Sequence, residues 1–244
     1  MNLKGKGIII TGSAVRIGRA ICLELAEAGA HLFCHYHSSK QKANILEQEL
    51  RATGTVHFFH RTDLSNLKAI GPLVRTAYHQ LGRIDVLINN AAVFYKTPLG
   101  DVTEEDWDTF FNLNLKAPFF LAQEVSRYMQ KQESGKIINI GDAGAENPYP
   151  AYLPYSLTKA GITAMTRGLA KALAPQIQVN CINPGPVLMP DYLTDEERTY
   201  ALEQTLLKKE GSPEDIARTV RFILEGSDYI TGAVIPVDGG RQIR

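Results

Sequence analysis

Short apolar runs recur along the chain, separated by longer stretches in which apolar residues return every three or four positions. The runs are rich in β-branched residues and predict strands, whereas the spacing in the longer stretches predicts helices. The predicted strands are Gly7–Thr11, Ala30–Tyr36, Thr55–His60, Asp85–Asn89, Lys136–Ile140, Ile177–Ile182 and Ala233–Val237. Helical spacing is clearest at Ile17, Ile21, Leu25 and Ala28, at Ile45, Leu46 and Leu50, and at Ile216, Val220, Ile223 and Leu224. This alternation is typical of an α/β protein whose parallel sheet carries helices on both faces.

Polar residues mark several helix boundaries. Thr103 and Ser212 are each followed by acidic residues within one turn, which predicts capped helix starts. Pro175 ends a long helical pattern that begins at about Ala151. No repeat and no Gly/Ser/Pro-rich linker divides the 244 residues, so we predict a single domain over residues 1–244.

The least regular stretch lies between Asn183 and about Thr194 and is rich in proline. A helix-like segment, Asp195–Lys209, follows it. Loops that close over a site often have this character. We therefore predict a flap at about residues 185–210, with an irregular surface crossover as the alternative.

Charge and cysteine content exclude several classes of protein. Lys and Arg number 26 and so do Asp and Glu, so no net positive charge is available to attract nucleic acid or an anionic membrane surface. Cys22, Cys34 and Cys181 are widely spaced, which fits a reducing compartment. The N-terminus has no signal-peptide pattern and no run is long enough to cross a bilayer. We expect a cytoplasmic protein with no nucleic-acid or membrane partner.

A glycine-containing turn follows the first predicted strand and opens the first helix, over Thr11–Gly18. In this context the backbone amides and the helix N-terminus can hold a pyrophosphate. The turn is not the P-loop of proteins that bind nucleoside triphosphates, because Arg19 and Ala20 stand where that motif needs Lys and Ser or Thr. Taken alone, an ordinary strand-to-helix turn would explain it equally well.

The end of the second predicted strand bears on which dinucleotide fits. A site selective for NAD places a carboxylate there, whereas this chain has His35-Tyr36-His37-Ser38-Ser39-Lys40. With no carboxylate to repel a 2′-phosphate, and with hydroxyls and cations to bind it, NADP is favoured over NAD. Arg16 adds a guanidinium near the phosphates. The alternative is a pair of strand-end histidines with no ligand; a metal site lacks a third ligand nearby.

Tyr155 and Lys159 lie four residues apart in a segment with helical spacing, so they share one face. An ammonium near a phenol, together with an oxidised nicotinamide, is expected to favour the phenolate. Tyr155 is therefore a candidate general acid. In isolation, a surface tyrosine beside a solvated lysine is the more common explanation of this spacing, but the preceding dinucleotide loop favours catalysis.

These motifs together resemble the short-chain dehydrogenase/reductase family. The matching segments are Thr11–Gly18, Asp63-Leu64, Asn89-Asn90-Ala91-Ala92, Asn114, Tyr155-x-x-x-Lys159 and Asn183-Pro184-Gly185, spread over nearly the whole chain. The resemblance implies a single Rossmann-type, doubly wound parallel sheet of about seven strands. It also implies a homotetramer built on long helices around Glu104–Met129 and Ala151–Ala174.

The resemblance assigns roles to single residues. It implies that Asp63 lies near the adenine, that Lys159 binds the nicotinamide ribose and that Asn114 supports a proton-relay water. The residues it implies for NADP(H) are Gly12, Arg16, Ile17, Gly18, Tyr36, His37, Ser38, Ser39, Asp63, Leu64, Asn90, Ala91, Lys159, Pro184 and Gly185.

Two departures from the common family pattern make the chain similar to the pteridine reductases of that family. Arg16 replaces the middle glycine of the loop, and Asp142 occupies the usual position of the catalytic serine. Phe94 could stack on a flat heteroaromatic ring, and Asp142 could orient Tyr155 or bind an amino-pyrimidine edge. Against that branch, Ser38 replaces an arginine and Ala92 replaces a serine. Phe94 as a core or flap aromatic, and Asp142 as a replacement within a carbonyl reductase, remain open.

We therefore expect an NADPH-dependent reductase whose favoured substrate is a dihydropterin. The expected catalytic residues are Asp142, Tyr155, Lys159 and Asn114, and the expected substrate contacts are Arg16, Phe94, Asp142 and Tyr155. The alternative is a carbonyl or alcohol oxidoreductase of the same family, acting on a 3-ketoacyl thioester, a sugar or another ketone. A non-catalytic NADP-binding redox sensor is the third hypothesis. A sensor needs none of the proton-transfer residues, so the presence of Asn114, Tyr155 and Lys159 together argues against it.

Overall fold

A computed structural model describes residues 1–189 and 192–244. The described residues form one parallel sheet, whose strand order is β3-β2-β1-β4-β5-β6-β7. The strands are β1 (Gly7–Ile10), β2 (His31–Tyr36), β3 (His57–Arg61), β4 (Val86–Asn89), β5 (Gly135–Ile140), β6 (Ile177–Pro184) and β7 (Val234–Val237). Each overlaps a predicted strand, and the doubly wound α/β fold is confirmed.

The connecting segments are mainly helical. The helices are α1 (Arg16–Glu27), α2 (Lys40–Ala52), α3 (Ile70–Leu81), α4 (Glu104–Phe111), α5 (Ala117–Lys131), α6 (Leu153–Leu173), α7 (Asp195–Glu203) and α8 (Pro213–Glu225). A π-helical turn, Asn112–Lys116, joins α4 to α5, so the long helix expected around Glu104–Met129 is interrupted. Within the described residues, no helix is long and apolar enough to cross a membrane.

Alternate side chains of each strand enter opposite layers of the core, as the two-residue period of a strand requires. In β1, Ile8 and Ile10 pack under α1, α2 and α8, whereas Ile9 packs on the other face under α3 and α5. These strands are covered on both faces, which explains why their sequences are continuously apolar.

Helix ends follow the predicted boundary signals in part. Thr103 and Ser212 form capping boxes at the starts of α4 and α8, and α6 ends before Pro175. The helix predicted over Asp195–Lys209 is shorter than expected, because α7 stops at Glu203 and its C-cap is Gln204. Pro190 and Asp191, within the predicted flap, lie outside the described residues.

The strand order places the candidate site. The chain runs outward from β1 to β3 and then returns to β4 on the other side of β1. The segments that follow β1 and β4 therefore lead to helices on opposite faces of the sheet, α1 and α5, and open α/β sheets bind ligands in the crevice at such a reversal of strand order.

Candidate active site

The glycine turn lies at this crevice, between β1 and α1. Gly12 has a φ of 63°, and a side chain there would press against Ala91, whose Cα would be 2.9 Å from an added Cβ. An added Cβ at Gly18 would come within 2.7 Å of Asn90 Nδ2. The glycines are therefore required for the loop after β4 to approach the turn this closely.

Hydrogen bonds fix that approach. Asn90 Nδ2 donates to the carbonyl oxygens of Thr11 (2.9 Å) and Gly12 (3.0 Å). The backbone N–H groups of Asn90 and Ala91 both donate to Thr11 Oγ1, at 2.9 and 3.0 Å. Asn90 and Ala91 thus stand beside the turn, next to the position that the sequence assigned to the cofactor.

His35, in β2, holds the glycine turn through hydrogen bonds of its ring. It is buried; its Nδ1 accepts from the Gly12 N–H at 3.3 Å, and its Nε2 lies 2.8 Å from the Thr62 carbonyl oxygen. This pair of partners requires a neutral ring with the proton on Nε2. Burial is the main cause that lowers the pKa of His35 to about 4. His35 has a structural role, the alternative that the sequence left open for it.

A cation that was not identified from the sequence, Arg61 of β3, lies beside the end of β2. Tyr36 pairs with Arg61 of β3, and Arg61 Nε donates to the His37 carbonyl oxygen at 3.0 Å. Ser38 and Ser39 form the turn into α2. Arg61 therefore lies beside the segment Tyr36–Ser39, close to Ser38, the residue that replaces an arginine of the pteridine reductases. Only the register between two neighbouring strands could have revealed it.

Other expected cofactor residues lie along the same edge. The Asp63 carboxylate accepts from the Ser65 hydroxyl (2.7 Å) and backbone N–H (2.9 Å), and this hydroxyl is the main cause that lowers the pKa of Asp63. The Leu64 side chain is in the core, so only its backbone faces outward. Pro184 ends β6, and Gly185 lies so close to Asp238 that a Cβ would be 2.6 Å from its Cα.

Asp142, Tyr155 and Lys159 come together at the carboxyl ends of β5 and β6. Tyr155 Oη donates to Asp142 Oδ2 at 2.8 Å. The Lys159 Nζ donates to the Ile140 carbonyl oxygen at 2.8 Å and lies 5.6 Å from the centre of the Tyr155 ring. Tyr155 and Lys159 are both buried. The predicted proximity of these two residues is confirmed by this geometry.

The protein's own groups favour the neutral phenol of Tyr155, and the phenolate expected beside Lys159 and an oxidised nicotinamide stays a prediction. Burial is the main cause that raises its pKa well above the usual range, and the negative charge of Asp142 raises it further, whereas Arg16 lowers it. Burial also lowers the pKa of Lys159. Tyr155 is therefore held as a neutral phenol, which is the form that can donate a proton.

Asn114 lies in the π-helical turn and faces the loop after β4. Its Oδ1 accepts from the Val93 N–H at 2.9 Å, and its Nδ2 donates to the Val93 carbonyl oxygen at 3.0 Å. A longer contact of 3.4 Å joins Nδ2 to Thr158 Oγ1 in α6. Asn114 thus links this loop to the helix that carries Tyr155 and Lys159. Its relay role stays a prediction.

Aromatic side chains form one wall of the site. Phe94 stacks on Tyr152 with ring centres 4.5 Å apart and planes 2° from parallel, and it meets Tyr155 edge-on at 4.7 Å. Arg16 reaches across from the glycine turn and donates to the carbonyl oxygens of Val187 (3.4 Å) and Leu188 in the predicted flap. Phe94 and Asp142 both contact Tyr155, whereas the Arg16 guanidinium is bound by the flap.

Two further residues at the site were missed by the sequence analysis. Tyr149 Oη donates to the second oxygen of Asp142, Oδ1, at 2.9 Å. The guanidinium of Arg241, close to the C-terminus, lies 5.0 Å from the centre of the Tyr149 ring. Tyr149 belongs to no motif and Arg241 is remote in the chain, so neither carried a signal.

This arrangement can hold an extended anionic ligand along the glycine turn and can transfer a proton at Tyr155. The start of α1, which has no side-chain cap, suits a phosphate. The neutral phenol, with an acceptor on one side and an ammonium behind its ring, suits proton donation to an oxygen or nitrogen of a second ligand.

Comparisons with known proteins agree with this geometry. A family model described as enoyl-(acyl carrier protein) reductase matches residues 12–242. The chain is 35% identical over 239 residues to the 3-oxoacyl-[acyl-carrier-protein] reductase FabG of Staphylococcus epidermidis, covering 96% of this chain and 98% of that protein. It is 34% identical over 251 aligned positions to the short-chain dehydrogenase/reductase FrzI of Cladobotryum, covering 98% and 96%. The structure of a blue fluorescent protein from a metagenomic library, in complex with NADPH, superposes with a TM-score of 0.90 at 36% identity, covering 99% of both chains.

Proposed function

Because the chain belongs to the short-chain dehydrogenase/reductase family, we propose that it is an NADPH-dependent reductase in which Tyr155 delivers the proton. The observation that carries this proposal is the hydrogen bond of 2.8 Å from the buried Tyr155 phenol to Asp142, with Lys159 behind the ring. A protein that only sensed NADP would need none of these groups.

The residues around the glycine turn fit a dinucleotide with a 2′-phosphate. Among the described residues, no side chain caps the N-terminus of α1 and its first turn has no acid, so its amides are available to a phosphate. Arg61, beside Tyr36–Ser39, adds a guanidinium to the hydroxyls of this turn and to Lys40, which follows it. The similar blue fluorescent protein is in complex with NADPH. When bound, NADPH supplies a hydride.

The proton comes from the chain itself. The Tyr155 O–H bond rotates from Asp142 towards the substrate while the ring stays in place. The phenol gives its proton to the oxygen or nitrogen next to the carbon that accepts the hydride, and is left as a phenolate. The charge of Lys159, 5.6 Å from the ring centre, and the charge of Arg16 favour that phenolate, whereas burial and the charge of Asp142 oppose it. Burial of both side chains limits the access of bulk water to them.

The relatives favour the alternative substrate class of the sequence analysis over its first choice. The Staphylococcus epidermidis protein is named a 3-oxoacyl-[acyl-carrier-protein] reductase, and it matches nearly the whole chain. On this ground we propose a 3-oxoacyl thioester as the first substrate class to test. Its ketone would accept the hydride at carbon and the Tyr155 proton at oxygen.

A dihydropterin is the second candidate, and one observation favours it. Asp142 stands where the family usually has a serine, and its oxygens accept hydrogen bonds from two phenols. A carboxylate cannot donate to a ketone oxygen, but it can accept from the N–H groups of an amino-pyrimidine edge. The flat wall of Phe94 and Tyr152 suits such a ring.

One experiment tests the reaction and separates the two substrate classes. Purified protein is assayed for NADPH oxidation with a 3-oxoacyl thioester and with a dihydropterin, beside Tyr155→Phe and Asp142→Ser. Tyr155→Phe is expected to remove activity while NADPH binding, followed by nicotinamide fluorescence, persists. Asp142→Ser restores the usual family residue. If the substrate is a 3-oxoacyl thioester, this variant is expected to keep its activity; if the substrate is a dihydropterin, the variant is expected to lose it. No turnover of either compound by a protein that binds NADPH would contradict both substrate assignments.

We also propose that the single domain works as a homotetramer whose flap is residues 185–210. An apolar face on α4, α5 and α6, which includes Phe119, remains partly exposed and suits a second copy of the chain. In the described part of the flap, Arg16 binds two carbonyl oxygens and Glu197 pairs with Lys96 of the loop after β4. These contacts suit a segment that closes over the crevice.

A further inference from the structure

Asp142 is shared by two tyrosines, of which the family pattern accounts for one. Tyr155 binds Oδ2 at 2.8 Å, and Tyr149 binds Oδ1 at 2.9 Å. We propose that Tyr149 is a positioning residue that aims the Asp142 carboxylate at Tyr155, and that Arg241 of the C-terminal segment holds Tyr149 in place. This inference rests on the proposed proton donation by Tyr155.

The orientation of the carboxylate follows from the partners of one oxygen. Oδ1 accepts from the Gly144 N–H at 2.6 Å as well as from Tyr149. The two oxygens of a carboxylate are rigidly linked. Two hydrogen bonds that hold Oδ1 therefore restrict the direction in which Oδ2 points. The Gly144 bond is local, since Asp142 caps the turn Ala143–Ala145, and one bond leaves the group free to rotate about it. The Tyr149 bond removes that freedom.

Tyr149 is suited to this role because it keeps its proton. Burial is the main cause that raises the pKa of its phenol, and the charge of Asp142 raises it further. When Tyr155 gives up its proton, its phenolate faces Asp142 across a short distance, and the two negative charges repel each other. A neutral donor on the far oxygen draws carboxylate charge away from Tyr155 and lessens this repulsion.

Arg241 connects Tyr149 to the C-terminal segment and to α7. Its guanidinium lies 5.0 Å from the centre of the Tyr149 ring, and its Nη1 donates to the Ala201 carbonyl oxygen at 3.1 Å. Asp238 fixes this segment by accepting from the N–H groups of Gly240 (2.9 Å) and Gln242 (2.8 Å). A cation over an aromatic face attracts the ring, so Arg241 restrains the tyrosine whose hydroxyl reaches Asp142.

The kinetic test uses Tyr149→Phe, which keeps the ring and the Arg241 contact and removes only the hydroxyl. We expect kcat to fall about tenfold, with KM for NADPH unchanged and a larger solvent deuterium isotope effect on kcat, because proton transfer becomes slower. Tyr229→Phe is the matched control, since Tyr229 is 99% exposed. A fall in kcat without a change in the isotope effect would indicate a merely structural role and would overturn the proposal.

Arg241→Gln tests the second part, with Arg244→Gln at the exposed terminus as its control. We expect a roughly threefold loss of kcat in the wild-type background and no further loss in Tyr149→Phe, because Arg241 acts through the Tyr149 hydroxyl. Equal losses in both backgrounds would separate Arg241 from Tyr149 and overturn its assignment.

A spectroscopic measurement keeps the inference independent of turnover. In protein labelled with 13C at the aspartate carboxyl groups, Asp142→Asn identifies the Asp142 signal. Tyr149→Phe is expected to shift that signal and Tyr229→Phe to leave it in place. An unshifted signal in a folded Tyr149→Phe protein would overturn the inference. If the signal shifts while the wild type reduces neither substrate class, the proposed function fails and the Tyr149 bond to Asp142 is supported.

Discussion

Arg61 of β3 adds a guanidinium beside the turn after β2, where Ser38 and Ser39 supply only hydroxyls. Its Nε binds the His37 carbonyl oxygen at 3.0 Å, which holds the guanidinium beside the proposed 2′-phosphate position. Arg61→Gln should raise KM for NADPH about tenfold and leave KM for NADH unchanged, because only NADPH has the phosphate. Steady-state kinetics with both cofactors measure this, with Arg51→Gln on the exposed end of α2 as the control. An equal change for both cofactors would contradict this role of Arg61.

His35 makes the stability of the glycine turn dependent on pH. Its pKa is lowered to about 4, mainly by burial, so the folded state keeps it neutral while the unfolded chain takes up a proton near pH 6.5. The unfolded state therefore binds more protons between pH 6.5 and 4, and stability falls as the pH is lowered through this range. The contribution of His35 is about 3 kcal/mol.

The measurement is urea unfolding as a function of pH for the wild type and for His35→Gln. Glutamine can replace both hydrogen bonds but does not titrate, so the decline in unfolding free energy between pH 6.5 and 4 should be smaller in the variant. His79→Gln, on the exposed face of α3, should keep the wild-type decline. Identical declines in wild type and His35→Gln would assign the effect to other groups.

The sequence could predict the residues that act through local spacing but not those that meet across the fold. Tyr155 and Lys159 share a helical face, so their proximity follows from the helix alone. Tyr149 and Arg241 meet only because the C-terminal segment returns to the turn after β5. The direction of the Tyr155 pKa shift was also beyond prediction, since it depends on burial and on the distance to Asp142.

At the level of elements, strands and capped helices follow from sequence, while lengths and interruptions depend on packing. The capping boxes at Thr103 and Ser212 use only neighbouring residues, and both were predictable. The early end of α7 had no local signal, because the residues beyond Glu203 keep a helix-like composition. The chain instead turns so that the N–H groups of Leu206 and Leu207 bind the Gly239 carbonyl oxygen.

A buried lysine joins two elements at the end of α8. Lys136 of β5 donates to the carbonyl oxygens of Leu224 (3.0 Å) and Ser227 (3.0 Å) and pairs with Asp228 at 2.8 Å. Lys136→Met should lower the free energy of unfolding by about 2 to 3 kcal/mol, because carbonyl groups at the end of α8 lose their donor. Urea unfolding measures this, with the exposed Lys42→Met as the control. A loss below about 0.5 kcal/mol would mean that water replaces the ammonium.

For the whole molecule, the α/β fold class was predictable from a few general rules, whereas the Rossmann-type sheet of seven strands was expected from the family resemblance. Strands separated by helices pair in parallel, and runs that are apolar throughout must be covered on both faces. The strand order and the position of the crevice then fit the glycine turn at β1 and the Asn90 loop at β4. Assembly is different, since it depends on which surface remains apolar after folding.

That surface gives the last prediction. Phe111, Leu115 and Phe119 form an apolar face with Gly161 and Leu169 of α6, and Gly161 lets Leu115 of the same chain pack closely on α6. Phe119 is 41% exposed, which is unusual for so large an apolar side chain in such a cluster.

Phe119→Glu places a charge on this face, where a second copy would have to desolvate it, so the mass of the assembly should fall to half that of the wild type or less. Sedimentation velocity measures the mass, and Tyr229→Glu, at an exposed position elsewhere, should leave it unchanged. The variant should still bind NADPH, because the glycine turn and Asp142 lie within one chain. A wild type that sediments as a monomer would exclude the homotetramer and would assign this apolar face to another partner.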